Sequence, residues 1–306
     1  MKVGFVGAGQ VGATAAFILA SKDLVKEIVM IDIDDAVIGK ALDMMCCSPL
    51  VPFDTVVSGS IDYSALSGCG LIVITAGLAR KPGMTREDLL AKNSSIMSSI
   101  ASSVKEFAPD AICIIVTNPL DVMTYLFLKK SGLSREKVIG MAGVLDSARL
   151  RNFIASELKV SPATVEGMVM GAHGDSMVPL PELTLVDGKP ITSLMDADTI
   201  ARLVERTANC GGEVVKYLKT GSAYYSPAAS IVEMVSVILS DSGKMLPCSV
   251  FVSGEYGLND MCMGLPVKLG KDGVQEIVEL ELSVEAGALL KKSAEVTRQN
   301  ISGLGL

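Results

Sequence analysis

The sequence predicts an α/β fold in which an N-terminal, doubly wound parallel sheet is followed by an α+β half. Two observations predict this. Short runs rich in Val and Ile alternate with helical patterns up to about Leu145, and the spacing then changes to longer helices and a glycine-punctuated strand region. Strands that are apolar on both faces are typical of parallel sheets covered by helices on each side. We therefore predict two units, residues 1–143 and 144–306.

The first half contains six predicted strands and four predicted helices in alternation. The strands are Lys2–Val6, Glu27–Ile31, Thr55–Val57, Leu71–Thr75, Ile112–Thr117 and Lys137–Ile139. The helices, which show amphipathic spacing, are Ala13–Ser21, Val37–Met45, Leu89–Glu106 and Val122–Lys130.

The second half is predicted to mix helices with fewer, longer strands. Its helices are Ser147–Leu158, Thr199–Leu218, Ala228–Ser240 and Val284–Asn300, and its strand regions are Val165–Met170 and Ser249–Leu269. Turns are expected at Gly254, at Gly257 and at Gly270–Gly273. Since neither a low-complexity linker nor a repeat separates the halves, we expect them to share an interface.

Composition and charge exclude several classes of protein. The net charge of −7 over 306 residues argues against a nucleic-acid partner, because a polyanion needs a basic surface. No apolar run is long enough to span a bilayer, and glycines interrupt the weak signal-like start MKVGFVGAGQVG, so we expect a cytoplasmic protein. The seven cysteines form no C-x-x-C pair and only one histidine is present, so we expect reduced thiols and no metal site.

A glycine fingerprint for dinucleotide binding directly follows the first predicted strand. Gly7, Gly9 and Gly12 have the spacing G-x-G-x-x-G and stand directly before the first predicted helix. The first glycine permits a tight turn, the second lets a pyrophosphate approach the backbone, and the third lets the helix pack on the strand. The free N–H groups at the helix N-terminus then bind the phosphates. This context predicts a Rossmann domain rather than an unrelated glycine-rich turn.

An acidic residue at the end of the second strand predicts the cofactor. Asp32 lies twenty residues after Gly12, where a carboxylate accepts hydrogen bonds from the adenosine ribose diol. Asp34 and Asp35 follow it, with no Arg or Lys beside them. Because these carboxylates would repel a 2′-phosphate, the sequence favours NAD over NADP.

Four further segments, together with the glycine fingerprint, resemble the malate and lactate dehydrogenase family. They are TAGLARKPGMTREDLL (75–90), VTNPLD (116–121), GMAGVLDSARLR (140–151) and GAHGD (171–175). The match is specific because five separated motifs occur in the right order. The resemblance implies a catalytic C-terminal domain and reversible hydride transfer between NAD and a small 2-hydroxy acid.

The resemblance also implies a role for each of six polar residues. His173 would be the acid/base, Asp146 its orienting carboxylate, Arg149 the clamp for the substrate carboxylate, Arg86 the group that polarises the reacting oxygen, and Asn118 the residue that positions that oxygen and the nicotinamide ribose. Arg80 takes the discriminating position, where the family's lactate enzymes typically have Gln and its malate enzymes have Arg. Arg80 therefore favours a dicarboxylate, malate or oxaloacetate, as substrate.

The residues themselves support this reading only as a set. Asp146 and Arg149 are spaced i, i+3, so on a helix they can reach one pocket. Taken singly, a surface role is the commoner fate of each Arg, a helix N-cap explains Asp146, a turn explains Asn118, and His173, the sole histidine, could be incidental.

The resemblance completes a cofactor-binding set and implies assembly. The set comprises Gly7, Gly9, Gln10, Val11, Gly12, Asp32, Thr75, Ala76, Gly77, Asn93, Val116 and Asn118. Residues 77–90 have loop chemistry and are expected to form a lid that closes on substrate. Members of the family are homo-oligomers, and we expect a tetramer rather than a dimer, with interfaces near Val37–Met45 and Ser147–Leu158.

Three alternatives remain open: a dehydrogenase for lactate or a branched hydroxy acid, a non-catalytic dinucleotide-binding redox sensor, and a metal-dependent, NAD-using glycosidase. A regulatory expectation follows from a departure within the family. Some lactate enzymes bind an activating sugar bisphosphate through positions occupied here by Arg151 and Glu166. Because Glu166 would repel a phosphate, we expect no such activation, and we expect Glu166 to pair with Arg151 across a subunit boundary.

Overall fold

A computed structural model describes residues 1–78 and 86–304 of the chain, without the side chain of Arg86. Its first half alternates strands and helices as expected. The elements are β1 (Lys2–Val6), α1 (Gln10–Ser21), β2 (Glu27–Ile31), α2 (Ala36–Cys46), β3 (Val56–Ser60), β4 (Leu71–Ile74), α3 (Arg86–Phe107), β5 (Ile112–Ile115), α4 (Leu120–Ser131) and β6 (Val138–Gly140).

These six strands form a parallel sheet in the order β3-β2-β1-β4-β5-β6. Both faces are buried in the five strands other than β3, because successive side chains of a strand point to opposite faces and enter different cores. The edge strand β3 leaves Val56 and Ser58 exposed. In β4, Leu71 and Val73 join the core that contains Leu19 of α1, whereas Ile72 and Ile74 join the core that contains Met97 of α3. The predicted doubly wound sheet is therefore confirmed.

The second half combines helices with antiparallel strands. Its elements are α5 (Gly143–Leu158), β7 (Val165–Glu166), β8 (Val169–Gly171), β9 (Met177–Pro179), β10 (Leu185–Val186), β11 (Lys189–Pro190), α6 (Ala197–Leu218), α7 (Tyr225–Leu239), β12 (Met245–Ser253), β13 (Asn259–Gly270), β14 (Gly273–Ile277) and α8 (Val284–Ser302). Strands β12, β13, β8 and β9 extend the parallel sheet from β6, with β14 paired to β13, while β11, β10 and β7 form a separate small sheet.

The two halves meet where β6 pairs with β12. At this seam Gly140 lies opposite Ser249 in antiparallel register. A Cβ on Gly140 would lie 2.7 Å from the Cβ of Ser249, so the close approach requires glycine. One sheet thus continues through both halves, and the expected interface between them is present. The division between residues 143 and 144 stays a prediction.

Several element boundaries differ from the prediction. Helix α3 begins at Arg86 rather than Leu89, with Glu87 and Asp88 in its first turn, where acidic groups favour a helix N-terminus. Helix α5 begins at Gly143 rather than Ser147. The single strand predicted over Val165–Met170 is two strands, because β7 pairs with β10 and β8 pairs with β13 in a different sheet.

Candidate active site

The loops that carry the predicted cofactor residues lie along one edge of the parallel sheet. Neighbouring parallel strands end at the same edge, so the segments after β1, β2, β4 and β5 meet there. Thr75 Oγ1 donates a hydrogen bond to the carbonyl oxygen of Gly7 at 2.8 Å, and Thr117 Oγ1 donates to that of Ala76 at 2.7 Å. Val116 continues the same edge, with its N–H on Ile74 O at 2.9 Å.

The glycine loop has the geometry of an anion site. Gly7 has φ +99°, and a Cβ on Gly12 would lie 2.0 Å from Gly7 O, so both positions require glycine. A Cβ on Gly9 would meet no atom within 4 Å, which leaves open space over the loop. Helix α1 begins at Gln10 and no side chain within the described ranges caps it, so the N–H groups of its first turn, including Val11, are available to a pyrophosphate.

Asp32 ends β2 with its carboxylate turned back towards the glycine loop. Its Oδ2 accepts the N–H of Ala8 at 2.7 Å, and its Oδ1 accepts the N–H of Ile33 at 2.8 Å. Each oxygen retains a lone pair for a ribose hydroxyl, which fits the predicted role. The fold also adds a cation that the local sequence does not show, because Lys40 Nζ donates to Ala8 O at 2.5 Å.

Asn93 links two of these loops through its amide group. It is fully buried; its Oδ1 accepts the N–H of Leu78 at 2.8 Å, and its Nδ2 donates to Leu78 O at 3.3 Å and to Asn118 O at 2.8 Å. Gly77 lies beside this link, where a Cβ would be 2.6 Å from Thr117 Cγ2. The Asn93 side chain therefore holds backbone in place, while Asn118 itself is exposed at the edge.

His173, Asp146 and Arg149 form one contiguous cluster. His173 Nδ1 lies 2.8 Å from Asp146 Oδ2, and Arg149 Nη1 lies 3.4 Å from Asp146 Oδ1. The exposed fractions of the side chains are 16%, 1% and 11% respectively. Since Asp146 holds Nδ1, the Nε2 atom of His173 is the ring nitrogen left for a substrate. Asp146 lies inside α5 rather than at its N-cap, so the capping explanation is wrong.

The electrostatics of the cluster favour protonated imidazole. Burial opposes the charged ring of His173, but the negative charge and hydrogen bond of Asp146 outweigh it, with a smaller contribution from Asp121, and the pKa of His173 is raised. Arg149 has a buried Nε with no hydrogen-bond partner in the described chain. An unpaired buried donor is costly, and a ligand carboxylate would supply the missing acceptor.

Two of the six polar residues cannot be placed. Arg80 lies outside the described residues, as do residues 79–85, half of the predicted lid. Arg86 is the first residue of α3, but its side chain is not described. The expected lid and the expected role of Arg80 in choosing the substrate therefore remain predictions.

One residue near His173 was missed by the sequence reasoning. Asp121, in the first turn of α4, is 5% exposed and accepts the backbone N–H of His173. Its signal in the sequence is a single acid within the otherwise uncharged run LDVMTYLFL, residues 120–128, in which every position is buried.

Arg151 makes local contacts in the chain. Its Nε donates to Val165 O at 2.6 Å and its Nη2 to Pro162 O at 3.5 Å, while Glu166 is exposed. These contacts join α5 to the small sheet. The pairing of Arg151 with Glu166 across a subunit boundary stays a prediction.

Comparison with known proteins places this site in a family. A model of the lactate/malate dehydrogenase NAD-binding domain matches residues 1–140, and a model of the lactate/malate dehydrogenase alpha/beta C-terminal domain matches residues 143–304. The malate dehydrogenase of Chlorobium luteolum is 51% identical over 305 residues, which cover 99% of this chain and 98% of the relative.

Two solved structures superpose closely on the chain. The malate dehydrogenase of Salinibacter ruber is 47% identical with a TM-score of 0.95, covering 100% of this chain and 98% of its own. The lactate dehydrogenase of Cryptosporidium parvum, complexed with lactic acid and nicotinamide adenine dinucleotide, is 39% identical with a TM-score of 0.96, covering 99% and 98%. The chain belongs to the lactate/malate dehydrogenase family, and its N-terminal half is the family's NAD-binding domain.

Proposed function

We propose that the chain is an NAD-dependent malate dehydrogenase that transfers hydride reversibly between malate and oxaloacetate. The observation that carries the proposal is the buried pair of His173 Nδ1 and Asp146 Oδ2 at 2.8 Å, with Arg149 on the other oxygen of the same carboxylate. A non-catalytic dinucleotide-binding protein would have no use for this pair. The named relatives include malate dehydrogenases at about half identity.

His173 moves the proton in this proposal. Its neutral Nε2 accepts the hydroxyl proton of malate, and Asp146 stabilises the imidazolium that results and fixes which ring nitrogen is free. Bound NAD supplies the hydride acceptor. In the opposite direction the imidazolium of His173 donates its proton to the keto oxygen of oxaloacetate.

The remaining polar residues bind and orient the substrate. Arg149, whose buried Nε–H has no partner among the described residues, holds the carboxylate next to the reacting carbon in a bidentate pair. Asn118 and Arg86 position and polarise the reacting oxygen, and a preorganised charge of this kind contributes several kcal/mol to transition-state stabilisation in a dry site.

Arg80 selects the dicarboxylate. The backbone fold does not distinguish the two substrates, because a lactate dehydrogenase and malate dehydrogenases superpose on this chain almost equally well. A guanidinium enclosed by a closing lid needs a partner, and only a second carboxylate on the substrate supplies one. Pyruvate leaves this charge unpaired and is disfavoured.

The test is the substrate preference of the Arg80→Gln variant. We expect the wild-type protein to oxidise NADH with oxaloacetate far better than with pyruvate, measured by absorbance of NADH. The variant should lose roughly 10²–10⁴-fold in kcat/KM for oxaloacetate and gain activity with pyruvate, because a charged partner is replaced by a neutral one.

Arg202→Gln is the matched control, since Arg202 is an exposed arginine paired with Glu157 on the surface. It should leave the preference unchanged. An Arg80→Gln enzyme with the wild-type ratio of oxaloacetate to pyruvate activity would contradict the assignment of Arg80. A wild-type protein inactive with oxaloacetate would contradict the proposed function itself.

We further propose that the chain works as a homo-oligomer, a tetramer rather than a dimer. Exposed apolar side chains on and after α2 support an interface there, because Ile38 is 52%, Leu42 67% and Leu50 84% exposed. Light scattering in solution measures the assembly directly.

We also propose a cytoplasmic location. All seven cysteines are free thiols, which is consistent with a reducing compartment. Within residues 1–78 and 86–304, no helix is long and apolar enough to cross a bilayer.

A further inference from the structure

A second buried carboxylate lies beside the acid–base cluster. Asp121 is almost as buried as Asp146, with exposed fractions of 5% and 1%. In the described part of the chain it forms no ion pair with Lys or Arg. A buried, unpaired carboxylate is costly and is tolerated only when hydrogen bonds satisfy its oxygens. Its retention in an otherwise apolar stretch therefore calls for a physical explanation.

Both oxygens of Asp121 are satisfied, and by two different elements. Oδ2 accepts the backbone N–H of His173 at 2.8 Å, and Oδ1 accepts the hydroxyl of Ser249 at 2.6 Å. Ser249 belongs to β12 and is completely buried. The carboxylate thus joins α4, β12 and the loop that carries the imidazole.

The His173 loop needs such anchors because its own backbone is permissive. Gly171 and Gly174 flank the segment with φ of +79° and +109°, which only glycine adopts readily. Two side chains hold the N–H groups between them: Ser293 of α8 accepts from Ala172 at 2.8 Å, and Asp121 accepts from His173 itself. One anchor is a hydroxyl and the other is a carboxylate. Burial raises the pKa of Asp121, and the hydrogen bonds from Ser249 and from the His173 N–H oppose that rise.

The charge of Asp121 acts on the imidazole as well. Among the described residues, the charged groups that shift the pKa of His173 are Asp146 and Arg149 from α5 and Asp121 from α4. Ser249 from β12 is uncharged. Asp121 favours the imidazolium, as Asp146 does, while Arg149 opposes it. The two carboxylates therefore act in the same direction on the proton of His173, Asp146 through its charge and its hydrogen bond to the ring and Asp121 through its charge alone.

We propose that Asp121 is a positioning residue for His173, which holds the backbone N–H of the acid–base residue and places a second negative charge beside its ring. This inference rests on the proposed function, since it concerns the group that would carry the proton. Asp121 does not touch substrate in this proposal. Its hydrogen bond fixes the position of the His173 backbone, and its charge favours the protonated imidazole ring.

The test is an NMR titration of His173, which is the only histidine in the sequence, so its ring signal needs no assignment. The tag-free protein is labelled with ¹³C at histidine Cε1. We expect the imidazole pKa to fall by about one unit in Asp121→Asn, which keeps an acceptor for the His173 N–H but removes the charge. Ser293→Ala removes the neutral anchor and should leave the pKa at the wild-type value.

Ser249→Ala is the second variant, and it decides the question if the Asn variant does not fold. It keeps every atom of Asp121 but removes a hydrogen bond that opposes the rise in the Asp121 pKa caused by burial. The carboxylate is then less fully ionised where His173 titrates, so the His173 pKa should fall less than in Asp121→Asn, in the same direction. A wild-type pKa in each folded variant of this pair would overturn the proposal. So would an equal fall in Ser293→Ala, because the effect would then come from loosening the loop.

Activity gives an independent reading. The pH dependence of kcat/KM for malate should shift to lower pH in Asp121→Asn by the amount seen in the titration. A wild-type protein without malate or oxaloacetate activity would defeat the proposed function, but the titration would still test the electrostatic role of Asp121.

Discussion

The cofactor edge and the His173 loop are held in place in different ways. At the cofactor edge the strands of one sheet end side by side, and the loops after β1, β4 and β5 are joined mostly by contacts near each strand end. The His173 loop is instead held by side chains from α4, α5 and α8, which are far apart in sequence. The regular spacing of the parallel strands therefore places the cofactor-binding loops. Side-chain contacts between residues far apart in the sequence place the acid–base residue.

The largest effect is expected from a substitution that impairs the acid–base residues and leaves the cofactor edge unchanged. Asp146→Asn should lower kcat by roughly 10²–10⁴-fold, because the amide no longer stabilises the imidazolium or fixes its tautomer. Binding of NADH, followed by its own fluorescence, should be unchanged, because the hydrogen bonds of Asp146 in the described chain go to His173 and Arg149 and not to the glycine loop. Weakened NADH binding in this variant would show that the two regions are coupled.

Substitutions of two glycines test the cofactor edge, where one should weaken cofactor binding and the other should lower stability. Gly9→Ala adds a methyl group whose carbon meets no protein atom within 4 Å, so thermal stability should hold. NADH affinity should fall by about tenfold or more, because the methyl group blocks the approach of the pyrophosphate to the backbone. Gly12→Ala places a Cβ 2.0 Å from Gly7 O and should lower stability by about 1–3 kcal/mol. Calorimetry of both variants without cofactor compares these effects.

Equal destabilisation by the two substitutions would contradict this comparison. So would an unchanged NADH affinity in Gly9→Ala, since the open space over that residue would then not be the phosphate site.

The smallest expected effect concerns the wild-type protein, namely the pH at which kcat/KM changes in each direction of the reaction. The pKa of His173 is raised above its ordinary value of 6.5, because Asp146 and Asp121 outweigh the effect of burial. Malate oxidation needs the neutral ring, so its kcat/KM should rise as pH increases through this pKa. Oxaloacetate reduction needs the protonated ring, so its kcat/KM should fall over the same interval. If the midpoint of the kcat/KM change lay below pH 6.5 in both directions, the raised pKa of His173 would be contradicted.

Much of the fold was predictable because it depends on local pattern. Apolar runs and glycine spacing located every strand of the parallel sheet to within three residues, for example Thr55–Val57 against the observed Val56–Ser60. Errors arose where tertiary pairing decides. Val165–Met170 looks like one strand, but its two ends pair with different sheets around Gly167.

The site divides in the same way. His173, Asp146 and Arg149 were predicted together and are found in contact. Lys40 and Asp121 were not predicted. The neighbouring sequence does not show that the Lys40 side chain reaches Ala8 O or that Asp121 contacts the backbone of His173. For Asn93 the family resemblance implies a cofactor contact, and only the fold reveals that its amide group is hydrogen-bonded to the backbone of Leu78 and Asn118.

The continuous sheet has a consequence for exchange of parts between relatives. Ser249 lies opposite Gly140 across the seam between β6 and β12. Its hydroxyl also donates the second hydrogen bond to the Asp121 carboxylate, which accepts the backbone N–H of His173. Recombination near residue 143 separates Gly140 and Asp121 from Ser249 and His173. A hybrid of two dehydrogenases therefore retains its acid–base geometry only when both parents carry matching residues on each side of that joint.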